Sequence, residues 1–332
     1  MEAQFYKSKE DNMLCYLCPH NCIIRAGGTG ICKVRSNEGG KLLAETWGNL
    51  SAVNFDPIEK KPLYHYHPGK IILSLGSVGC NMKCKCCQNW QISQIAAADY
   101  PFNRKLNPDE IIKLALSRNE NIGVAYTYNE PTVWFEYMND IAKLVRFEGM
   151  KNVMVSNGYI NEEPLHELLK NMDAFNIDLK GFSEDFYRNF AGASLSPVLR
   201  TLTQIRNAGK HLEITCLVIP SLNDNPDEFG KMVRWIAQEL GSGTVLHLSR
   251  YHPDYKLDAE PTSAVQLEIL YGIAREKLSY VYVGNVQLKD FQDTHCSSCG
   301  HVVVSRSGYH IIMQELTEEG LCKYCRNLVI NF

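Results

Sequence analysis

Cysteine is the residue type whose spacing points most directly to chemistry in this chain of 332 residues. Twelve of the thirteen cysteines fall into three groups, which we call the head, central and tail cysteines. They are Cys15, Cys18, Cys22 and Cys32; Cys80, Cys84, Cys86 and Cys87; and Cys296, Cys299, Cys322 and Cys325. Such clustering is typical of zinc and iron sites, because thiolates bind both metals well. The remaining Cys216 lies in an apolar run, and we expect it to be buried.

The central cysteines lie in the segment GCNMKCKCCQNW, in which Cys80, Cys84 and Cys87 have the spacing C-x3-C-x2-C. Three thiolates on one short loop can bind three irons of a cubane cluster and leave the fourth iron without a protein ligand. An open coordination position is where a metal centre binds substrate or cofactor. Cys86 in place of Cys87 would give C-x3-C-x-C, and a structural zinc site is the other alternative.

The tail cysteines form two C-x2-C pairs separated by an apolar stretch. This pattern predicts a zinc ribbon or a rubredoxin-like iron site, with two strands around residues 306–308. We favour zinc, which commonly stabilises small segments of this kind.

The head cysteines, with the spacing C-x2-C-x3-C-x9-C, allow more than one interpretation. They could bind one zinc ion, with His20 replacing a thiolate, or an auxiliary iron–sulfur cluster. Head and tail pairs could also combine into a shared site. We favour a zinc ion held by Cys15, Cys18, Cys22 and Cys32.

The segment between the flanking groups alternates short apolar runs with amphipathic stretches. Near-continuous apolar runs predict strands buried on both faces of a parallel sheet. The predicted strands are 71–75, 124–128, 153–156, 175–179, 212–219, 245–248 and 280–283. The segments 107–110 and 225–228, each Asn-Pro-Asp-Glu, predict helix starts, as does Ser196-Pro197, whose helix ends at Gly209.

This alternation predicts an α/β fold, a partial or near-complete parallel (β/α) barrel with small Cys-rich segments at both ends. We expect a Cys-rich segment and lead-in at 1–69, the barrel at 70–290 and a zinc-ribbon-like segment at 291–332. Function then belongs at the carboxyl ends of the strands, where polar residues follow the apolar runs.

Composition excludes several classes of protein. A net charge of −3 argues against a protein that coats nucleic acid or an anionic membrane. No apolar run approaches the roughly 18 residues needed to span a bilayer. The polar N-terminus is unlike a signal peptide, so we expect a cytoplasmic protein without a disulfide framework.

The central spacing, placed after the first strand of the body, resembles the radical S-adenosylmethionine (SAM) superfamily. The segments CYLCPHNCIIRAGGTGICKVRSN, DPIEKKPLYHYHPG, YTYNEPTVWFEY, NIDLKGF and SRYHPDYK look like the radical enzymes of the AmmeMemoRadiSam group, which are related to pyruvate formate-lyase activating enzymes. The resemblance implies a [4Fe-4S] cluster on Cys80, Cys84 and Cys87, although the usual aromatic residue before the third cysteine is here Cys86. The open iron would bind SAM, whose reductive cleavage gives methionine and a 5′-deoxyadenosyl radical.

The same resemblance suggests residues that contact SAM. Glu130, in Tyr-Asn-Glu-Pro, stands where the family has Gly-Gly-Glu-Pro, and would bind the methionine ammonium. Ser156 and Asn157 match the Thr-Asn-Gly of activating enzymes. The alternatives are a helix cap at Glu130 and an ordinary turn at 156–158.

Asp178 and Lys180 match an Asp-Leu-Lys segment of activating enzymes and alternation puts them on one strand face. We expect them near the SAM carboxylate, although they could simply neutralise each other. His252 matches a histidine near the cofactor, with a loop salt bridge as the alternative. His65 and His67 have the spacing of ligands, but we expect them to pack within a loop.

The sequence therefore predicts a radical SAM enzyme that takes electrons from a low-potential flavodoxin or ferredoxin. Its substrate is either a protein glycine, as in glycyl-radical enzyme activation, or a small molecule. The rival hypothesis is a non-catalytic zinc-ribbon protein that binds RNA or protein, and the net charge argues against nucleic acid as a partner.

Overall fold

The computed structural model describes residues 1–102, 104–286, 288 and 291–330. The strands are β1 (Tyr6–Lys9), β2 (Asn12–Cys15), β3 (Ile23–Ile24), β4 (Arg35–Glu38), β5 (Lys41–Ala44), β6 (Asn49–Leu50), β7 (Ala52–Pro57), β8 (Ile71–Gly76), β9 (Arg104–Lys105), β10 (Asn121–Tyr126), β11 (Lys151–Ser156), β12 (Ala174–Asp178), β13 (His211–Val218), β14 (Val245–Arg250), β15 (Val281–Gly284), β16 (Thr294–His295), β17 (Val302–Ser307) and β18 (His310–Met313). The α-helices are α1 (Trp90–Ser93), α2 (Pro108–Leu116), α3 (Phe135–Phe147), α4 (Glu162–Leu169), α5 (Glu184–Phe186), α6 (Leu195–Asn207), α7 (Pro226–Trp235) and α8 (Ala264–Arg275). Single 3₁₀ turns are Ile58–Lys60, Ala97–Asp99 and Pro131–Trp134, and π-helical turns are Tyr187–Ala191 and Ile236–Leu240.

An eight-stranded sheet forms the centre of the molecule, in the order β15-β14-β13-β12-β11-β10-β8-β7. Neighbouring strands from β8 to β15 are parallel, and β7 pairs antiparallel with β8 at one edge. Helices follow the parallel strands as the alternating pattern predicts. This confirms the predicted partial barrel, which stays open between β7 and β15 in the part of the chain described.

The apolar runs predicted as strands all lie in this sheet, with boundaries that differ by one or two residues except at β10, where the shift is larger. Strand β10 spans Asn121–Tyr126 and not 124–128, because Tyr128 adopts a left-handed conformation (φ 70°) that a strand cannot continue through. The buried residues of the sheet include Leu73, Val124, Phe175, Ile177, Ile214, Leu246 and Leu248. Cys216 on β13 is buried among them, as predicted.

Two of the predicted helix starts are present as expected, and the third is displaced. Asn107 and Glu110 form a reciprocal capping box, with Glu110 N–H donating to Asn107 Oδ1 at 3.0 Å. Asn225 caps α7 without a reciprocal bond, its Oδ1 accepting from the amides of Asp227 and Glu228 at 3.0 and 3.1 Å. Helix α6 begins at Leu195, ahead of the predicted Ser196-Pro197, because the Glu184 carboxylate accepts hydrogen bonds from the amides of its first turn.

Buried cations attach the head and tail segments to other parts of the molecule. In the head, Arg35 on β4 forms an ion pair with Glu136 on α3 (Nη2–Oε1 3.0 Å), and both side chains are about 1% exposed. In the tail, the Arg306 guanidinium stacks on the Tyr64 ring at 4.2 Å and donates to the Tyr64 carbonyl at 2.9 Å. Nowhere in the described ranges is there a helix both long enough and apolar enough to cross a membrane.

Candidate functional site

A cleft of about 1110 Å³ opens at the carboxyl ends of the parallel strands. One wall comes from the loops after the strands, and another comes from Lys60 and Lys61 of the lead-in and the tail hairpin turn at Tyr309. The cleft brings together residues that are far apart in sequence. Of the predicted site residues, its lining contains Cys80, Cys84, Cys86, Cys87, Glu130, Ser156, Asn157, Asp178 and Lys180.

The central cysteines lie on the loop that leaves β8. Burial, helped by the nearby Glu130 carboxylate, raises the pKa of Cys80 well above its ordinary value, and burial raises the pKa of Cys84 to about 11. Thiolates in such a place need a cation, and a bound metal supplies one. The residues present therefore suit a metal cluster. Cys86 is buried and Cys87 is half-buried, and both line the cleft.

Two asparagines fix this loop. Asn129 donates to the Gly79 carbonyl (2.9 Å) and accepts from the Ser77 amide (3.0 Å). Asn81 donates to the Tyr159 carbonyl at 2.7 Å. Because these side chains are buried and fully engaged, the loop is held in place before any ligand binds.

Glu130 is the centre of a buried hydrogen-bond network that reaches the cysteine loop. Its Oε1 accepts from Ser156 Oγ (2.7 Å) and the Thr132 amide (3.0 Å), and its Oε2 accepts from the Asn157 amide (2.8 Å). The Asn157 side-chain amide lies 3.7 Å from Cys80 Sγ. Burial raises the pKa of Glu130, although these donors oppose the rise. The same carboxylate caps the 3₁₀ turn at Pro131–Trp134. Glu130 therefore both caps a helical turn and lines the cleft.

Asp178 and Lys180 form an ion pair in the cleft lining, with Nζ–Oδ2 at 2.7 Å. Burial would lower the pKa of Lys180, but Asp178 and the neighbouring Cys84 raise it well above its ordinary value. The ammonium is thus a fixed positive charge beside the central cysteines. Both side chains keep some exposure to the cleft (34% and 22%), so a ligand can reach them.

His252 does not share this position. Strand β14 ends at Arg250, and His252 lies two residues later, in the loop that follows. His252 is exposed outside the cleft lining, and its ring nitrogens lie 3.2–3.3 Å from Gln88 Nε2. Arg250 does line the cleft, with its Nε–H donating to the Thr262 carbonyl at 2.8 Å. His65 is buried between the Val329 carbonyl and the Tyr282 hydroxyl, as loop packing predicts.

Three residues of the cleft region were not singled out from the sequence: Asp56, Lys61 and Tyr128. Tyr128 has the positive φ that a glycine of the family motif would adopt without strain, and its hydroxyl donates to Asp56 Oδ2 at 2.5 Å. Lys61 Nζ pairs with the same carboxylate at 2.8 Å. Burial nevertheless lowers the pKa of Lys61 to about 8. A lysine within an EKK run gave no sequence signal that it would be buried.

The tail cysteines form a compact group whose geometry suits a metal ion. Their sulfur atoms all lie within 4.8 Å of one another, with Cys296–Cys325 at 3.5 Å and Cys299–Cys322 at 3.6 Å. Tetrahedral zinc with Zn–S bonds of about 2.3 Å places sulfurs about 3.8 Å apart. The two C-x2-C pairs of the tail thus lie together, and neither pair combines with the head cysteines. Four thiolates in a tetrahedron suit zinc or iron alike.

The head cysteines surround a separate small pocket. Cys15 ends β2 and Cys22 precedes β3, and the Cys15 amide donates to the Cys22 carbonyl at 2.9 Å. Cys18 and Cys32 complete the lining, together with Arg35 and His20 among others. All four head cysteines therefore line one space.

Comparison with known proteins agrees with this geometry. Residues 75–236 match the family model described as the radical SAM superfamily. An uncharacterised protein of Methanocaldococcus jannaschii is 42% identical over 98% of this chain and 97% of its own length. The pyruvate formate-lyase-activating enzyme of Clostridium pasteurianum is 24% identical over 52% of this chain and 72% of its own. The crystal structure of a radical SAM methyltransferase from Sphaerobacter thermophilus superimposes with a TM-score of 0.52 at 12% identity, covering 66% of this chain and 67% of that one.

Proposed function

Since the chain belongs to the radical SAM superfamily, we propose that it cleaves SAM reductively at the central cysteines and uses the resulting radical on a substrate bound in the cleft. Cys80, Cys84 and Cys87 hold the cluster in this proposal. The observation that carries it is the Glu130 network, which places a buried carboxylate and the Asn157 amide against Cys80. When bound, the [4Fe-4S] cluster and SAM together supply the electron transfer that yields methionine and a 5′-deoxyadenosyl radical.

The side chains of the cleft would bind and orient SAM. Glu130 pairs with the methionine ammonium, and Ser156 and Asn157 keep the carboxylate of Glu130 aimed by donating to it. Lys180 offers the complementary charge for the SAM carboxylate, with Asp178 holding its ammonium in place. The fixed loop and the partly enclosed cleft keep water away from the reacting atoms.

We propose a small molecule as the substrate, because the lead-in and the tail hairpin both contribute to the cleft lining. Small-molecule sites commonly occupy about 300–1,000 Å³, and a cleft of this volume has room for SAM and a modest partner. Arg250 and Lys60 in the lining would favour a substrate that carries an anionic group.

A protein glycine is the second candidate substrate, favoured by the likeness to a pyruvate formate-lyase-activating enzyme. A low-potential flavodoxin or ferredoxin would supply the electrons in either case. Thirteen free thiols suit a reducing compartment, so we propose that the protein acts in the cytoplasm. A zinc-ribbon module without catalysis would leave the family membership and the cleft network without a purpose.

The proposal is tested by product analysis. Anaerobically reconstituted and reduced protein should convert SAM to 5′-deoxyadenosine and methionine in equal amounts, and Cys84→Ala should form neither. Supplying deuterated metabolite pools or a deuterated-glycine proteome then separates the two substrates, because deuterium enters 5′-deoxyadenosine only from the molecule attacked. If reduced, cluster-loaded protein forms no 5′-deoxyadenosine, the proposed function is wrong.

A further inference from the structure

The pocket of the head cysteines differs from the tail site in the separation of its thiols. Within the described residues, the tail group is the one set of three or more His, Cys, Asp or Glu side chains whose ligand atoms all lie within 4.8 Å. The head cysteines and the triad Cys80, Cys84 and Cys87 are each grouped around one space but are spread more widely. A single zinc ion draws its four sulfurs together, whereas a cubane cluster binds each thiolate through a different iron.

A buried donor in the same pocket points to a sulfur-rich ligand. Arg35 lines the pocket and is 1% exposed, and its terminal nitrogens bind Glu136. Its Nε has no hydrogen-bond partner among the residues that the structure describes. An orphaned buried N–H of this kind is costly, and the sulfides or thiolates of an anionic cluster would accept it. Glu136 balances the charge of the guanidinium, so what Arg35 offers a cluster is the unpartnered Nε–H donor.

The head pocket lies directly against the loop of the central cysteines. A Cβ atom built on Gly79 would come within 2.8 Å of the Cys32 carbonyl oxygen and 2.6 Å of Val34 Cγ1, so only glycine permits this packing. His20, which lines the head pocket, hydrogen-bonds the Asn81 carbonyl at 2.7 Å. Gly79 and Asn81 flank Cys80, so two short contacts connect the two groups of thiols.

We propose that the head cysteines ligate a second iron–sulfur cluster, which delivers electrons to the cluster on Cys80, Cys84 and Cys87. This replaces the zinc ion that the spacing of the head cysteines alone favoured. In the transfer step, one electron leaves the head cluster, which is oxidised, and reduces the central cluster; no bond is made or broken and no proton moves. A low-potential one-electron donor of the flavodoxin or ferredoxin class then reduces the head cluster again. The delivery of electrons rests on the proposed function, whereas the presence of the cluster does not.

The first experiment counts metals in full-length protein purified without oxygen. We expect about eight irons and eight sulfides per chain, as two four-iron clusters require. A variant with Cys80→Ser, Cys84→Ser and Cys87→Ser leaves the head untouched and should keep about four irons, with a reduced-state EPR signal that SAM does not change. A variant with Cys18→Ser and Cys22→Ser should lose the head iron and keep a SAM-responsive signal.

The outcomes are distinguishable from failure of the proposed function. The informative protein is the variant with Cys80, Cys84 and Cys87 all replaced by serine. If it holds zinc in place of iron, or no metal beyond that of the tail, the proposed head cluster is wrong, whatever the activity of the enzyme. Because that variant does not alter the head, its metal content is informative even if the Cys18→Ser, Cys22→Ser protein fails to fold.

The relay has its own kinetic test. Stopped-flow reduction of the central cluster by flavodoxin should be lost in the head variant, while reduction by dithionite is retained. Equal rates of reduction by flavodoxin in the native protein and in the head variant would overturn the relay.

Discussion

Replacing Glu130 with glutamine tests whether this residue binds SAM or only caps a helical turn. The glutamine carbonyl can still accept from Ser156 and Thr132, but its amide nitrogen then faces the Asn157 amide, which donates at 2.8 Å in the native protein. Leaving that buried N–H unpaired costs about 1–3 kcal/mol of stability. Loss of the charge-assisted bond to the SAM ammonium separately costs about 1.5–3 kcal/mol of binding free energy, which lowers the affinity for SAM roughly 10- to 150-fold.

The assay is calorimetric titration of anaerobic, cluster-loaded protein with SAM, alongside urea unfolding of each variant. Glu213→Gln is the matched control, because Glu213 is a fully buried carboxylate with four hydrogen bonds that lies outside the cleft lining. It should lose stability without losing affinity for SAM. In the native protein, affinity should fall at low pH, since burial raises the pKa of Glu130 and the neutral acid cannot pair with an ammonium. A Glu130→Gln protein that binds SAM as tightly as the native protein would show that Glu130 is only a cap.

Three other predictions follow from individual residues. Burial would raise the pKa of Glu213, but hydrogen bonds from His211 and His247 hold it well below its ordinary value of about 4.5. The stability that the ionised Glu213 gives the fold is complete above that value and is lost as the pH falls through the folded-state pKa. Glu213→Gln should therefore flatten the fall in unfolding free energy at acid pH, measured by urea titration. Cys86→Ala should keep the SAM-responsive EPR signal and Cys87→Ala should abolish it, and the reverse result would assign the third ligand to Cys86. Removing Cys325 should release about one metal ion per chain and lower the melting temperature, measured by elemental analysis and calorimetry, and an unchanged metal content would mean that the tail holds none.

Much of the fold was predictable, because parallel strands buried on both faces appear in the sequence as short apolar runs between capped helices. Strand β7 was not predicted, since an edge strand that contains Asn54 and Asp56 lacks that signal. The end of β10 was misplaced for a local reason, the left-handed Tyr128, which no propensity indicates.

Site residues were predictable where they follow parallel strands, because the carboxyl ends of those strands lie at the same edge of the sheet. The sequence therefore grouped Glu130 and Asn157 with the cysteine loop, and both line the cleft. It could not give the position of His252, because this residue lies in a loop beyond the end of β14, where no strand periodicity sets the direction of a side chain. It also missed Lys61, which pairs with the nearby Asp56 but is covered by the ring of Tyr128, a residue distant in sequence.

In our proposal, the cluster on Cys80, Cys84 and Cys87 has one iron free to bind SAM. Electron–nuclear double resonance on the reduced protein tests it most directly, with SAM labelled with ¹⁵N at its amino group and ¹⁷O at its carboxylate. We expect hyperfine coupling of both labels to the cluster in the native protein and in Cys86→Ala. A fully reduced cluster that shows no coupling to either label under saturating SAM would contradict it.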